Sequence, residues 1–132
     1  MKKLILVFLM IVSVNAYSQK NTKISTIDFV QVLNKNKKEV LYYYKNNWEI
    51  LRKMAVKKDY IHSFQLLKTI PTKEAPFSYI LITTYKNKAQ FDKREPHFQE
   101  LIKAKGKLKL LNDKKPGEFR KVLFGKDTYH KE

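Results

Sequence analysis

The sequence predicts a single α+β domain with the element order β-α-β-β-α-β. Three observations lead to this order. The apolar period is two over residues 24–33, becomes three and four over 37–57, and gives way to β-branched and aromatic runs at 60–70 and 78–86. Proline and glycine fall at the joints, at 71–77 and at Gly106. The run at 78–86 is apolar on both faces, which suits a strand covered on both sides.

Each element has its own reason. In "ISTIDFVQVL" (24–33), Ile27, Phe29, Gln31 and Leu33 point one way, and Asp28, Val30 and Val32 point the other. "NKNK" (34–37) is a turn. Leu41, Tyr44, Trp48, Leu51 and Ala55 follow at spacings of 3, 4, 3 and 4, which is one stripe of a helix over 37–57. Tyr43, Ile50 and Met54 widen the stripe. "YIHSFQLLKTI" (60–70) reads as the second strand, "PTKEAPF" (71–77) as a loop and "SYILITTYK" (78–86) as the third strand. Residues 87–106 are helical, with Phe91, Phe98, Leu101 and Ile102 inward. Pro96 would cost a helix interior about 3 kcal/mol, so a short turn over 88–94 should precede a helix that begins near Pro96 and ends at Gly106. "KLKLLNDKKPGE" (107–118) is an irregular arm, and "FRKVLFGKD" (119–127) is the last strand. This order is the ferredoxin-like βαββαβ arrangement, an antiparallel sheet with two helices on one face.

The start of the chain has a separate meaning. Lys2 and Lys3 precede an apolar run from Leu4 to Val12, and small residues follow at Ala16 and Ser18. This is the layout of a secretory signal peptide over residues 1–18, cut after Ala16 or Ser18. The run is shorter than the ~20 residues a membrane span needs, so no transmembrane anchor is expected after cleavage. Residues 19–132 then form one domain with its core at about 24–127, secreted or periplasmic. The absence of cysteine excludes a lipid anchor on a thiol, a disulfide framework and thiol catalysis.

The formal charge of +16 raises nucleic acid, anionic membranes and acidic polymers as partners. Lysine outnumbers arginine 25 to 3, although arginine is the side chain suited to bidentate phosphate and base contacts. No nucleic-acid partner is therefore expected. Lys103, Lys105, Lys107, Lys109, Lys114, Lys115, Arg120 and Lys121 form the densest basic patch. It either holds anionic surfaces, as a lysine-based adhesion module, or is a solvated edge that resists strand-to-strand aggregation.

Few residues suggest chemistry. No GxSxG, P-loop, GxGxxG or HExxH motif is present, and no two histidines have metal-ligand spacing. His62 shares a strand face with Tyr60, Phe64 and Leu66, the face expected to meet the helices. It is either a core histidine or a base or haem ligand with a pKa near working pH. His97 follows Pro96 at a helix start and is expected in solvent; His130 sits in the tail. Asp28, between Ile27 and Phe29, is the one acid whose position needs explaining, and a strand end or edge would explain it without function.

Three stretches carry a resemblance: "LYYYKNNWEILRKMAVKKDYIHSFQLL", "FSYILITTYKNKAQFDKREPHFQELI" and "KLLNDKKPGEFRKVLF". They resemble the dimeric α/β-barrel superfamily, and within it small exported bacterial proteins of uncharacterised function. The resemblance implies a homodimer packed sheet to sheet. It also implies a pocket between sheet and helices for a small apolar or aromatic ligand, with Tyr44, Trp48, His62 and Tyr85 as lining candidates. Members of this superfamily include cofactor-free monooxygenases and haem-handling enzymes. The haem-degrading members pair an Asn and a Trp with a histidine on a downstream helix. Here Asn47 and Trp48 adjoin and His62 is expected on a strand, so that activity does not carry over. The expected function is small-ligand binding with no cofactor. The alternatives are an oxygenase or haem-handling enzyme in the same cavity, and the adhesion module.

Overall fold

The structure is a computed structural model that describes residues 20–131; the expected signal peptide lies outside them. Strands β1 (Ile24–Val32), β2 (Ser63–Lys68), β3 (Tyr79–Tyr85) and β4 (Arg120–Tyr129) form one sheet in the order β2-β3-β1-β4. Every pairing is antiparallel. With β1 and β3 at the centre, this is the ferredoxin-like topology that the periodicity predicts.

The helices cover one face. Helix α1 (Lys37–Tyr43) passes through a π-helical segment (Tyr44–Trp48) into α2 (Glu49–Lys57). Helices α3 (Lys88–Asp92) and α4 (Arg94–Lys105) follow β3, and α5 (Pro116–Phe119) precedes β4. The helix is interrupted at Lys93, and Pro96 occupies the first turn of α4, where its missing N–H costs nothing. Gly106, with φ of 81°, closes α4 as expected.

The π-helical segment corrects the expected stripe. Its wider turn takes in one extra residue, so the buried position upstream is Val40, and Leu41 is 42% exposed. Asn46 and Asn47 support that turn by donating to the carbonyls of Tyr42 and Tyr43, each at 2.8 Å. Side chains that fill the helix's own acceptors relax the ordinary backbone ladder at this point. Three other expectations also need adjusting. β2 is shorter than 60–70, β4 starts at Arg120 because Pro116 nucleates α5, and Ile102 stands 47% exposed rather than inward.

Two apolar clusters join the layers. In one, Val30, Tyr79 and Leu81 of the sheet meet Val40, Tyr44 and Phe119. In the other, Tyr85 meets Ala55, Ile61 and Leu101, with Phe64, Phe91 and Phe98 around them. On the helix-free face, Phe29 stacks on Phe124 at 4.6 Å and meets Phe77 edge-on at 4.8 Å. Ile80 and Ile82 pair with Phe29 and Ile27 across β1–β3 on the same side. Alternation on β1 thus sends Val30 to the helices and Phe29 away from them, as its period of two requires.

Candidate functional site

The helix layer does not fill all the space above the sheet. Two adjoining cavities lie between the helices and the β1–β4 side. One holds about 350 Å³ and is walled by Tyr43, Tyr44, Trp48, Leu81, Leu108 and Val122, with Lys105 and Arg120 at its rim. The other holds about 460 Å³ and is polar: Arg52, Arg94 and Lys126 face Asp28, Glu95 and Asp127. Asp28, Leu51 and Ile102 line both. The space is therefore one groove with an aromatic half and a charged half, and its volume matches that of small-molecule sites.

The π-helical segment shapes the aromatic half. It turns Tyr44, Asn47 and Trp48 to the interior side. Trp48 meets Phe64 edge-on, with ring centres 5.8 Å apart. Asn47 is buried and joins the helix to the arm that follows α4. Its Nδ2 donates to the Lys109 carbonyl at 2.7 Å, and its Oδ1 accepts from the Lys109 N–H and from Lys105 Nζ, each at 2.8 Å. Arg120 donates from Nη2 to the Tyr43 hydroxyl at 3.3 Å and lies 5.0 Å from that ring's centre. The Nε of Arg120 is buried without a hydrogen-bond partner.

The charged half is organised by Arg52. Its guanidinium lies 4.2 Å from the Phe98 ring centre and 4.8 Å from that of Trp48, and its Nε donates to Thr83 Oγ1 at 3.1 Å. Burial draws its pKa down to about 10, partly offset by Tyr85 and Asp28, so it stays protonated at neutral pH. Burial raises the Asp28 carboxyl above its usual range, opposed by the attraction of Arg52. The two form no ion pair in contact among the described residues. Burial also raises the phenols of Tyr44 and Tyr85, which are neutral there.

Asp28 is mid-strand on the central β1, neither at an end nor at an edge. Its neighbour across β1–β4 is Gly125, and a Cβ at Gly125 would stand 2.6 Å from Asp28 Oδ1. The glycine therefore leaves the space that the carboxyl occupies. Alternation alone places Asp28 on the helix side with Val30. That was the available signal; the uncovered stretch above it depends on the tertiary arrangement.

The expected site residues separate. Tyr44 and Trp48 line the aromatic half and Tyr85 the charged half. His62 does not join them. Strand β2 begins one residue later, and His62 is exposed, its backbone N–H donating to the Thr84 carbonyl at 2.8 Å. No histidine lines either half of the groove, so a histidine-ligated haem has no ligand there. His97 is not free in solvent: it stacks on Tyr60 with centres 3.7 Å apart. His130 Nε2 meets Ser25 Oγ at 2.9 Å. Among the described residues, no group of three potential ligands is placed to hold a metal.

The basic patch separates as well. Lys105 and Arg120 line the groove. Lys114 bonds Asn36 at 2.6 Å and approaches Glu39 at 3.8 Å, tying the arm to the start of α1. Lys107, Lys109, Lys115 and Lys121 are exposed.

No family model and no curated protein matches this chain. Among solved structures, HapK from Hahella chejuensis is 14% identical, covering 81% of this chain and 91% of its own, with a TM-score of 0.47. A protein from Bacteriodes thetaiotaomicron VPI-5482, provisionally described as an antibiotic biosynthesis monooxygenase, is 10% identical. It covers 84% of this chain and 90% of its own, with a TM-score of 0.44. The ferredoxin-like assignment rests on this chain's own strand order, independently of those likenesses. Among the described residues, no helix is long and apolar enough to cross a membrane.

Proposed function

We propose that the protein is an exported homodimer that binds a small, partly aromatic molecule in the groove between its helices and the β1–β4 side of the sheet. One observation supports this above the others: the aromatic half of the groove is open, although Tyr44, Trp48 and Val122 are available to close it. A domain of this size ordinarily packs such a layer to near-crystal density. This reading requires no metal or cofactor. The oxygenase alternative in the same groove would have to work without His62.

Trp48 is the only tryptophan, so its fluorescence reports on the groove. N-phenyl-1-naphthylamine should quench it saturably, and Val122→Phe, which fills the aromatic half, should abolish the quenching. Unsaturable quenching that Val122→Phe leaves intact would rule out the groove as a binding site.

The dimer reading is supported by the apolar helix-free face, where Phe124 is 49% exposed beside Phe29. Sedimentation should give twice the monomer mass, and Phe29→Glu should halve it. Export predicts a mature chain that begins at Tyr17 or Gln19, which mass spectrometry of the released protein checks.

A further inference from the structure

The charged half of the groove holds a donor and an acceptor that do not satisfy each other. Arg52 on α2 commits its Nε to Thr83 and presses its guanidinium between Trp48 and Phe98. No hydrogen bond or ion pair uses its terminal amino groups among the described residues, and the side chain lines the groove. Asp28 on β1 faces the same space, and no hydrogen bond is donated to its carboxyl among the described residues. Gly125 keeps a side chain out of the space around that carboxyl. Both groups are partly withdrawn from water, and each keeps hydrogen-bonding capacity open toward the groove. The surrounding charges do not favour an ion of either sign, because Arg94 and Lys126 are matched by Glu95 and Asp127.

Building on the small-ligand reading above, we propose that Arg52 and Asp28 together read one neutral head group that accepts a hydrogen bond and donates another. A carboxamide or an alcohol carries both functions. The guanidinium donates to the head group's oxygen, the carboxylate accepts from its N–H or O–H, and the ring lies in the aromatic half beside Trp48. An anionic head would satisfy Arg52 and meet the Asp28 charge, and a cationic head would do the reverse. This selects a ligand class: a ring-bearing molecule with an uncharged polar end.

The test is a series of 2-substituted naphthalenes competing with N-phenyl-1-naphthylamine for the full mature protein. The members are the carboxamide, the carboxylate, the aminomethyl compound and the ethyl hydrocarbon. The carboxamide should bind about tenfold tighter than each of the other three, since hydrogen bonds to charged partners are the stronger kind. Arg52→Met and Asp28→Ala should each bring the ratio of carboxamide to hydrocarbon affinity to within about threefold of unity. Reading the ratio within each protein cancels any general loosening of the groove, and the wild-type series decides even if a variant fails to fold. Tightest binding by the carboxylate would mean that Arg52 acts alone, and tightest binding by the amine that Asp28 does; either overturns the proposal. Equal affinity for carboxamide and hydrocarbon overturns it too while leaving the groove as a site. If no member and no dye binds, the small-ligand reading falls and this one with it.

Discussion

The helix-covered face of the sheet has a closed part and an open part. Above β2 and β3, Tyr85, Ala55, Ile61 and Leu101 are buried and ringed by aromatics. Above β1 and β4, the same helices leave Trp48, Leu51 and Ile102 lining a groove. The two parts share helices, so helix propensity does not account for the difference. Strand content and position account for it. The closed part is built on Tyr85 of β3 and Phe64 of β2, which meet Ala55, Ile61 and Leu101; Tyr85 also borders the charged half of the groove. The charged half of the open part sits on Asp28, Gly125 and Asp127, which are too small or too polar to meet the helices. The charged half stays open where the sheet supplies acids and a missing side chain, and the aromatic half beside it stays open although Leu81 and Val122 lie in its wall.

Neighbouring residues on α4 give the largest test of that contrast. Leu101→Ala should cost about 2–5 kcal/mol of unfolding free energy by urea titration, because it leaves a cavity in the closed part. Ile102→Ala, on the groove wall, should cost less than about 1 kcal/mol, since that residue is already 47% exposed. Equal costs would remove the distinction.

Asn47 tests how the open part is held open. Asn47→Ala removes its four hydrogen bonds and leaves the backbone N–H and carbonyl of Lys109 without that partner. The loss should be about 2 kcal/mol, with faster amide exchange along the arm at 107–110. Unchanged exchange there would mean that the arm is held by other contacts.

A smaller effect is expected at Gly125. The Cβ of Gly125→Ala would stand 2.6 Å from Asp28 Oδ1, so the carboxyl must swing into the groove. Stability should fall by about 1 kcal/mol, while carboxamide binding should weaken more than hydrocarbon binding. Equal weakening would show that the glycine does not hold the carboxyl in place.

The smallest effect is a pH dependence. Burial raises the folded-state pKa of Asp28 above its ordinary value of 3.8, with Asp127 adding to the rise and Arg52 opposing it. The unfolded chain therefore loses that proton at lower pH than the folded one. The contribution is fully present below the ordinary value and is lost as pH rises through the folded-state pKa. Asp28→Asn should melt higher than wild type at pH 7, and the gap should narrow as the pH falls toward 3.8. A gap of the same size at both pH values would assign the effect to packing rather than ionisation.

Legibility in the sequence followed the range of the interactions. The alternation of Asp28, Phe29 and Val30 told which side of β1 each would face, because strand geometry is local. Pro96 and Gly106 marked the ends of α4 through their own backbone constraints. The stripe on the first helix was displaced upstream of Tyr44 because asparagine side chains bonding back to carbonyls create a wider turn that spacing alone does not reveal. His62 was misplaced for a local reason, since β2 begins at Ser63 and leaves it at the strand's threshold.

By itself, the sequence determined the order of the elements, the faces of the central strands and the chain's excess of positive charge. These follow from the side-chain period and from composition, which need no distant partner. Only the tertiary structure decided that Asp28 would lie opposite Gly125, that Arg52 would be held between Trp48 and Phe98, and that a groove would remain between them. Those outcomes depend on which residues meet after the chain has doubled back, and on whether their volumes fill the gap when they do.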